Sequence, residues 1–384
     1  MKKGGGFLKG LLGMLVFGST AGVLERFAAA ARDESERVVD ERQSLHFVRR
    51  EAVGVASAQG GRDHQEDRVS VTRNAAPGVD LYAVYDGHGG ARCSHLAAQV
   101  FPKAFGNHFA PLHVRASVGA IRDAAKSAVR DTEAEYVAAT RHKKNVYEGS
   151  TLVFAAVRHF DVRGGAGSAA VDGEPEKHKP TFDTDTGGWY GRRVDAKAPM
   201  DRRSLDVVVG NVGDSRCVLC GTTRATDQAL TRDHKPELRS EAARIQLLGG
   251  HVARRVNGDT WRVYDGQGRG GLAMSRALGD TFYAEAVPAT PEVVVQTIDL
   301  RSDVALVLAS DGVWDVADKT AVCDLVREAQ FVGRAERDKD AVAGRAARAI
   351  VDSSLKLGST DNCTAVVVLL GAKQSQRLNE KLVL

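Results

Sequence analysis

The apolar positions of the chain fall into two kinds of stretch. From Val53 onward, short β-branched runs recur between glycine-containing turns: VGVASAQG, LYAVYDG, STLVFAAV, LDVVVGNVGDSRCVLC, EVVVQTIDL, VALVLASDG and CTAVVVLLG. Several are apolar at nearly every position rather than at alternate ones, as a strand requires when both of its faces are covered. Between them lie stretches that read as helices: ARCSHLAAQVFPKAF, HVRASVGAIRDAAKSAVRDTEAEYVAAT, SEAARIQLLGG, KTAVCDLVREAQFV and DAVAGRAARAIVDSSLKLGS. The strands cluster instead of alternating strictly with helices. This predicts an α+β class built on antiparallel sheets, not a doubly wound parallel sheet.

Two regions break the pattern. Residues 161–204 are rich in Gly, Pro and charge, with little periodicity. A structureless loop of that length is uncommon inside a compact domain, so the stretch is expected to be a disordered insertion between two strands. The N-terminus has early lysines and then an uncharged run from Gly10 to Leu24. That run is shorter than the ~20 residues a bilayer span needs. A signal peptide, an organellar import segment, a membrane-edge anchor and a disordered tail with one sticky patch are the readings it leaves open. The absence of Asp and Glu before Glu25 suits a mitochondrial leader, whereas the scarcity of arginine does not. Location is therefore expected to be organellar or membrane-associated, and otherwise cytoplasmic. The expected division is an N-terminal targeting or anchor segment with a charged linker (1–50), one folded domain (51–372) and a tail (373–384).

Composition narrows the function. A net charge of +4 is too small to argue for nucleic acid, and no basic patch is interleaved with aromatics. The cysteines Cys93, Cys217, Cys220, Cys323 and Cys363 are odd in number and scattered, so no disulfide framework is expected. Cys217 and Cys220 lie in a run that reads as a strand, which would point them to opposite faces. None of the five has an arginine six positions later, so a thiol-phosphatase loop is absent.

The candidate chemistry lies where apolar runs stop. Asp86 follows LYAVY, Asp214 follows DVVVGNVG, Asp311 follows VALVLAS with Asp315 four later, Asp361 opens the last run, and Glu66 and Asp67 precede RVSVT. Any one of these is an ordinary turn residue. Together they form an all-oxygen set suited to hard divalent cations such as Mg²⁺ or Mn²⁺. Two such ions can share a water, lower its pKa and clamp an in-line displacement at phosphorus. Arg62 is a natural bidentate partner for phosphate, and His88 could give a leaving group its proton.

Eight stretches then match a known family in order: RDHQED (62–67), YAVYDGHGG (82–90), GSTLVFA (149–155), GNVGDSRCVL (210–219), LTRDHKPELRSEAARIQLLGGHV (230–252), LAMSRALGD (272–280), LVLASDGVWDV (306–316) and STDNCTAVVV (359–368). The chain resembles the metal-dependent protein serine/threonine phosphatases of the protein phosphatase 2C (PPM) type. The resemblance implies a four-layer αββα sandwich of two antiparallel sheets flanked by helices. It implies that Asp86, with the carbonyl of Gly87, bridges two Mg²⁺ or Mn²⁺ ions. Glu66 would complete one ion, Asp311 and Asp361 the other, and Asp214 and Asp315 would form a weaker third site. Arg62 falls on the phosphate-binding arginine, His88 on the general acid and Asp67 on an acid that positions water. The implied reaction is direct attack on phosphoserine or phosphothreonine by a hydroxide bridging the ions, without a phosphoenzyme. Phosphoproteins are the expected partners, membrane contact would run through the N-terminal apolar segment, and a monomer is expected.

Four features depart from the pattern or mimic another. The 161–204 insertion is not shared, and NGDTWRVYDGQGRGG (257–271) is longer than expected, as a surface elaboration near the substrate cleft would be. The chain ends soon after its last strand, without the extra C-terminal helical region of some animal members. GNH (106–108) echoes a motif of other metal-dependent phosphatases, but its companion motifs are missing, so Asn107 and His108 read as helix-end residues. The rival function is a catalytically inactive relative kept as a binding or scaffold protein. Against it, Asp86, Asp311, Asp361, Glu66 and Arg62 are all present. A purely structural metal site would leave Arg62 and His88 without a role.

Overall fold

The computed structural model describes residues 51–112, 116–143, 146–159, 204–254 and 260–370, together with the short strand segments 181–183, 188–190 and 382–383. The expectations for the N-terminal segment, for most of the 161–204 insertion and for most of the C-terminal tail lie outside the described residues.

Two antiparallel sheets form the centre. The first runs β1 (Ala52–Ala58), β9 (Cys363–Leu369), β8 (Asp303–Ala309) and β6 (Arg216–Gly221), with a short strand at Gln228–Ala229. The second runs β7 (Glu292–Asp299), β5 (Ser204–Val212), β4 (Leu152–Arg158), β3 (Val79–Tyr85) and β2 (Arg68–Ala76), with Leu382–Val383 at its edge. The unbroken apolar runs now have their reason. Every residue of β3, β4 and β9 is buried. Tyr82 and Val84 point between the sheets, where they meet Val153, Leu219, Leu308 and Val366. Leu81, Ala83 and Tyr85 point outward, into a core shared with Phe101, Phe105 and Val129. Those last residues come from α1 (Arg92–Phe109) and α2 (Val118–Thr140).

The outer face of the first sheet is covered in the same way. Val218, Val307 and Val367 pack against Val322 and Val326 of α4 (Lys319–Val332) and Ile350 of α5 (Lys339–Lys356). A shorter helix, α3 (Arg239–Leu247), packs into a smaller cluster around Ile245, Val263 and Met274. The order helix, sheet, sheet, helix is the expected four-layer sandwich. Helix starts are marked locally: the side chains of Ser117, Asp318 and Asp338 accept from the amides of Ala120, Ala321 and Ala341. Of the stretch expected to be helical from His113, residues 113–115 lie outside the described residues, and the helix after them starts at Val118.

The cysteines hold one pairing that the sequence did not convey. There is no disulfide framework, but a single bridge joins Cys220 on β6 to Cys323 on α4. Cys217 and Cys220 do face opposite sides, Cys217 between the sheets and Cys220 toward the helices. The outward facing is what brings Cys220 to Cys323. Part of the long 257–271 stretch belongs to a small antiparallel sheet of residues 251–254, 261–264 and 270–272. Asn107 and His108 close α1, and His108 pairs with Asp131 at 2.7 Å.

Candidate active site

Antiparallel order puts the predicted acids at one edge of the sandwich. Asp86 directly follows β3, Asp214 and Asp311 lie two positions past the ends of β5 and β8, Asp67 directly precedes β2, and Asp361 lies two positions before β9. Cross-strand pairs align these ends: Tyr85 faces Arg68, Val212 faces Leu152, and Ala309 faces both Arg216 and Ala365.

The turn after β3 is held on several sides. Thr151 N donates to Asp86 O at 2.8 Å, and Asp86 N donates to Thr151 Oγ1 at 3.1 Å. Gly87–His88 pairs with Gly149–Ser150, which pairs with Leu278–Gly279. A side chain at Gly87 would come within 2.5 Å of Glu66 O and 2.7 Å of Ser94 Oγ, so only glycine fits there. Gly89 and Gly90 have φ of +67 and +133, left-handed values that let the chain turn directly into α1. The small three-stranded ladder sets His88 beside Asp280, with Nε2 to Oδ2 at 2.6 Å. A Cβ at Gly149 would strike both groups, so that glycine makes room for the pair.

The loop carrying Arg62 and Glu66 is tied to the start of β9 by Asn362. Its Oδ1 accepts from Glu66 N at 2.8 Å, and its Nδ2 donates to Gln59 O at 2.7 Å and His64 O at 3.0 Å. The exposed Arg62 guanidinium donates to Asp361 Oδ2. Asp67 accepts from Ser310 Oγ at 2.9 Å, with its other oxygen unpartnered.

Burial and mutual repulsion dominate the electrostatics. Burial pushes the Asp86 carboxyl well above the usual range, and the charges of Asp311, Asp67, Asp214 and Asp361 push it further. Burial does the same to Asp311, helped by Asp214 and Asp315 and opposed by Lys235. Asp67 is raised to about 7 by burial, against hydrogen bonds from Thr364 and Ser310. Burial also raises Asp315, and Lys235 opposes it. Burial pulls the Lys235 ammonium down, but Asp214 and Asp315 outweigh it and raise it. In His88 burial acts downward as well, and Asp280 overcomes it.

The donor set fits hard divalent ions. It is all oxygen, the acids Glu66, Asp67, Asp86, Asp214, Asp311, Asp315 and Asp361 outnumber the local cations Lys235 and Arg62, and the buried Asp214 Oδ1 and Asp67 Oδ1 lack partners. The acids do not close on one point. Among the described residues, the trios whose ligating atoms all lie within 4.8 Å are Glu51–Asp80–His159 and Cys220–Asp227–Cys323, and neither includes a predicted ligand. A surface concavity of about 740 Å³ lined by Thr72, Asn74, Pro102 and Lys103 also contains none of them. Sequence reasoning missed Lys235, Asp280 and Asn362. The DHKP, ALGD and TDNC stretches that hold them were in view, but nothing in them told which distant group each would meet.

Comparisons with known proteins bear on the family and the fold. The family model described as "Protein phosphatase 2C" matches residues 200–363. The chain is similar to "Probable protein phosphatase 2C 69" of Arabidopsis thaliana, 32% identical over 324 residues that cover 84% of this chain and 71% of that one. It is also similar to "Probable protein phosphatase 2C 59" of the same plant, 31% identical over 84% of this chain and 80% of the relative. Among solved structures, a serine-threonine phosphatase 2C from Toxoplasma gondii shares the fold with a TM-score of 0.62 and 21% identity, over 83% of this chain and 94% of that one. A C. elegans sex determining protein does so with a TM-score of 0.61 and 21% identity, over 92% of this chain and 74% of that one.

Proposed function

The chain belongs to the protein phosphatase 2C family, and on that premise we propose that it removes phosphate from phosphoserine and phosphothreonine by direct attack of water, without a phosphoenzyme. The observation that carries the proposal is the imbalance of charge around Asp86. A half-buried carboxyl, pushed well up by desolvation and four further acids, makes sense where external cations supply the missing charge.

Asp86 and the carbonyl of Gly87 would be shared by two Mg²⁺ or Mn²⁺ ions, with Glu66 on one, Asp311 and Asp361 on the other, and Asp214 with Asp315 offering a weaker third position. Ions held there supply Lewis acidity toward water and toward the phosphoryl oxygens. The rest is work for the chain's own groups. Arg62 is exposed and, among the described residues, its guanidinium is anchored through Asp361, so it can turn to bind a phosphate bidentately and hold it for in-line attack. Asp67 has its free oxygen in a buried position and a carboxyl near neutrality, which suits it to orient water. Asp280 holds His88 through Nε2 and raises the imidazolium, so that Nδ1, which has no partner, presents a proton to the departing alkoxide. Serine alkoxide is a poor leaving group, and this proton lets it depart as an alcohol.

The test is hydrolysis of a phosphothreonine peptide by the purified full chain. Turnover with Mn²⁺ or Mg²⁺, lost on chelation with EDTA and restored by added ion, is the expected result. No turnover with either ion would sink the proposal.

A further inference from the structure

The proposed chemistry leaves unused the one ammonium group that the acids face. Lys235 Nζ donates to Asp214 Oδ2 at 2.7 Å and stands 3.8 Å from Asp315 Oδ1. Asp214 is fully buried, and its second oxygen has no partner. Lys235 is not a surface lysine that happens to reach an acid, because the backbone around it is fixed. The fully buried His234 donates its amide to Gly213 O at 2.9 Å, and its Nδ1 accepts from Gly213 N at 3.0 Å. Asp233 takes two bonds from Arg216, at 2.8 and 2.7 Å, and Arg216 lies 5.2 Å over the Trp314 ring. The chain thus reaches Lys235 through contacts with the turn that bears Asp214 and the turn that bears Asp311 and Asp315.

We propose that Lys235 is the resident cation of the Asp214–Asp315 position, so that a divalent ion enters there only by displacing the ammonium. The inference rests on the reading of this edge as a divalent-ion site. Its physical basis is that removing one member of a buried ion pair leaves an uncompensated charge. An ion arriving at Asp214 must first break such a pair, whereas one arriving at Asp86 meets no resident ammonium. The third position is therefore weak because the chain already fills it, not because its ligands are poor. Removing the ammonium should tighten it.

Calorimetric titration of Mn²⁺ into the metal-free full chain tests this. Lys235→Met should tighten the weakest binding step at least about tenfold, or add a measurable step absent from the wild type, since an opposite charge at this range is commonly worth one to three pKa units. Lys235→Arg, which keeps the charge, should titrate like the wild type, and adding Asp214→Asn to Lys235→Met should abolish the gain. A Lys235→Met titration identical to the wild type in every step overturns the proposal and leaves the ion-site reading standing. Absence of any Mn²⁺ binding in wild type and variant overturns both. Should Lys235→Met not fold, the wild type still decides. Acylation of Lys235, followed by mass spectrometry, should be at least about tenfold slower than that of the exposed Lys103 without metal, and should accelerate as the weakest step fills. Labelling as fast as Lys103 without metal, or protection that persists once the third ion is bound, overturns the proposal.

Discussion

Strand β3 has an aspartate near each end, buried Asp80 and half-buried Asp86, and the two could hardly differ more. At its start, Asp80 accepts from Arg73 Nη1 at 2.8 Å and from Asn74 N at 2.8 Å, and lies 3.6 Å from His159 Nε2. Burial would raise its carboxyl, but the bonds from His159, Asn74 and Arg73 outweigh it and hold it at about 2. Just past the other end, Asp86 is pushed well up, with other acids as its main neighbours. The residue type is the same, Asp80 is the more deeply buried of the two, and the chain brings its own cations only to Asp80. Proximity misleads here. Glu51, Asp80 and His159 have the closely converging ligand atoms, yet Arg73 and His159 already balance their charge. The spread-out acids at the far end are the ones left wanting a cation.

The largest effects should separate the two ends by exchange of one atom. Asp86→Asn and Asp311→Asn should each cut turnover on a phosphothreonine peptide by about 10²–10³-fold, the scale on which one electrostatic partner of a transition state is lost. The metal-free variants should be no less stable than the wild type, because each removes a buried charge that burial disfavours. Asp80→Asn should do the reverse, keeping turnover and losing stability in urea. Turnover that falls as far in Asp80→Asn as in Asp86→Asn would break the contrast.

The balanced end has its own signature in pH. Burial lowers the His159 imidazolium, but Asp80 and Glu51 outweigh it and raise it to about 9 from the usual 6.5. A group with a raised folded pKa contributes in full below its unfolded pKa and loses that contribution as pH rises through the folded one. The stability gap between wild type and His159→Gln should therefore be about 3 kcal/mol at pH 6 and close above pH 9. Asp80 has the opposite sign. Its contribution, about 2 kcal/mol, is full above the unfolded value near 4 and fades as pH falls toward 2. Denaturant melts across pH check both, and a His159→Gln gap that widened with rising pH would refute the assignment.

The contrast also marks what the sequence could convey. Apolar runs without alternation announced strands covered on both faces, and antiparallel order then placed Asp86, Asp214, Asp311 and Asp361 at one edge. Their partners were not legible, because they come from far along the chain. Asp280 meets His88 across 192 positions, Asn362 meets Glu66 across 296 and Cys323 meets Cys220 across 103. No period or local propensity encodes such pairings. Lys235 is only 21 positions from Asp214, yet its role depends on a turn whose course follows from His234 and Gly213. Ends of elements can be read from local sequence, whereas charge balance is settled only when distant elements meet.

Each end of β3 also has a histidine bound to an aspartate, and here the smallest effect is the most discriminating. His159 and Asp80 serve stability, so their loss should leave the ratio of rates on different substrates unchanged. On the proposed mechanism Asp280 acts through His88. Asp280→Asn is a mild change, since asparagine tolerates the φ of 48 found at this position better than most residues. The amide cannot hold the imidazolium as the carboxylate does, so proton delivery from His88 should suffer while the fold persists. Hydrolysis of a phosphothreonine peptide should slow roughly tenfold more than hydrolysis of p-nitrophenyl phosphate, whose phenolate departs without a proton. A purely structural role would slow both equally. Equal losses in Asp280→Asn would thus remove Asp280 from the proton path, whereas a skewed ratio that also appeared in Asp80→Asn would erase the distinction between the two pairs.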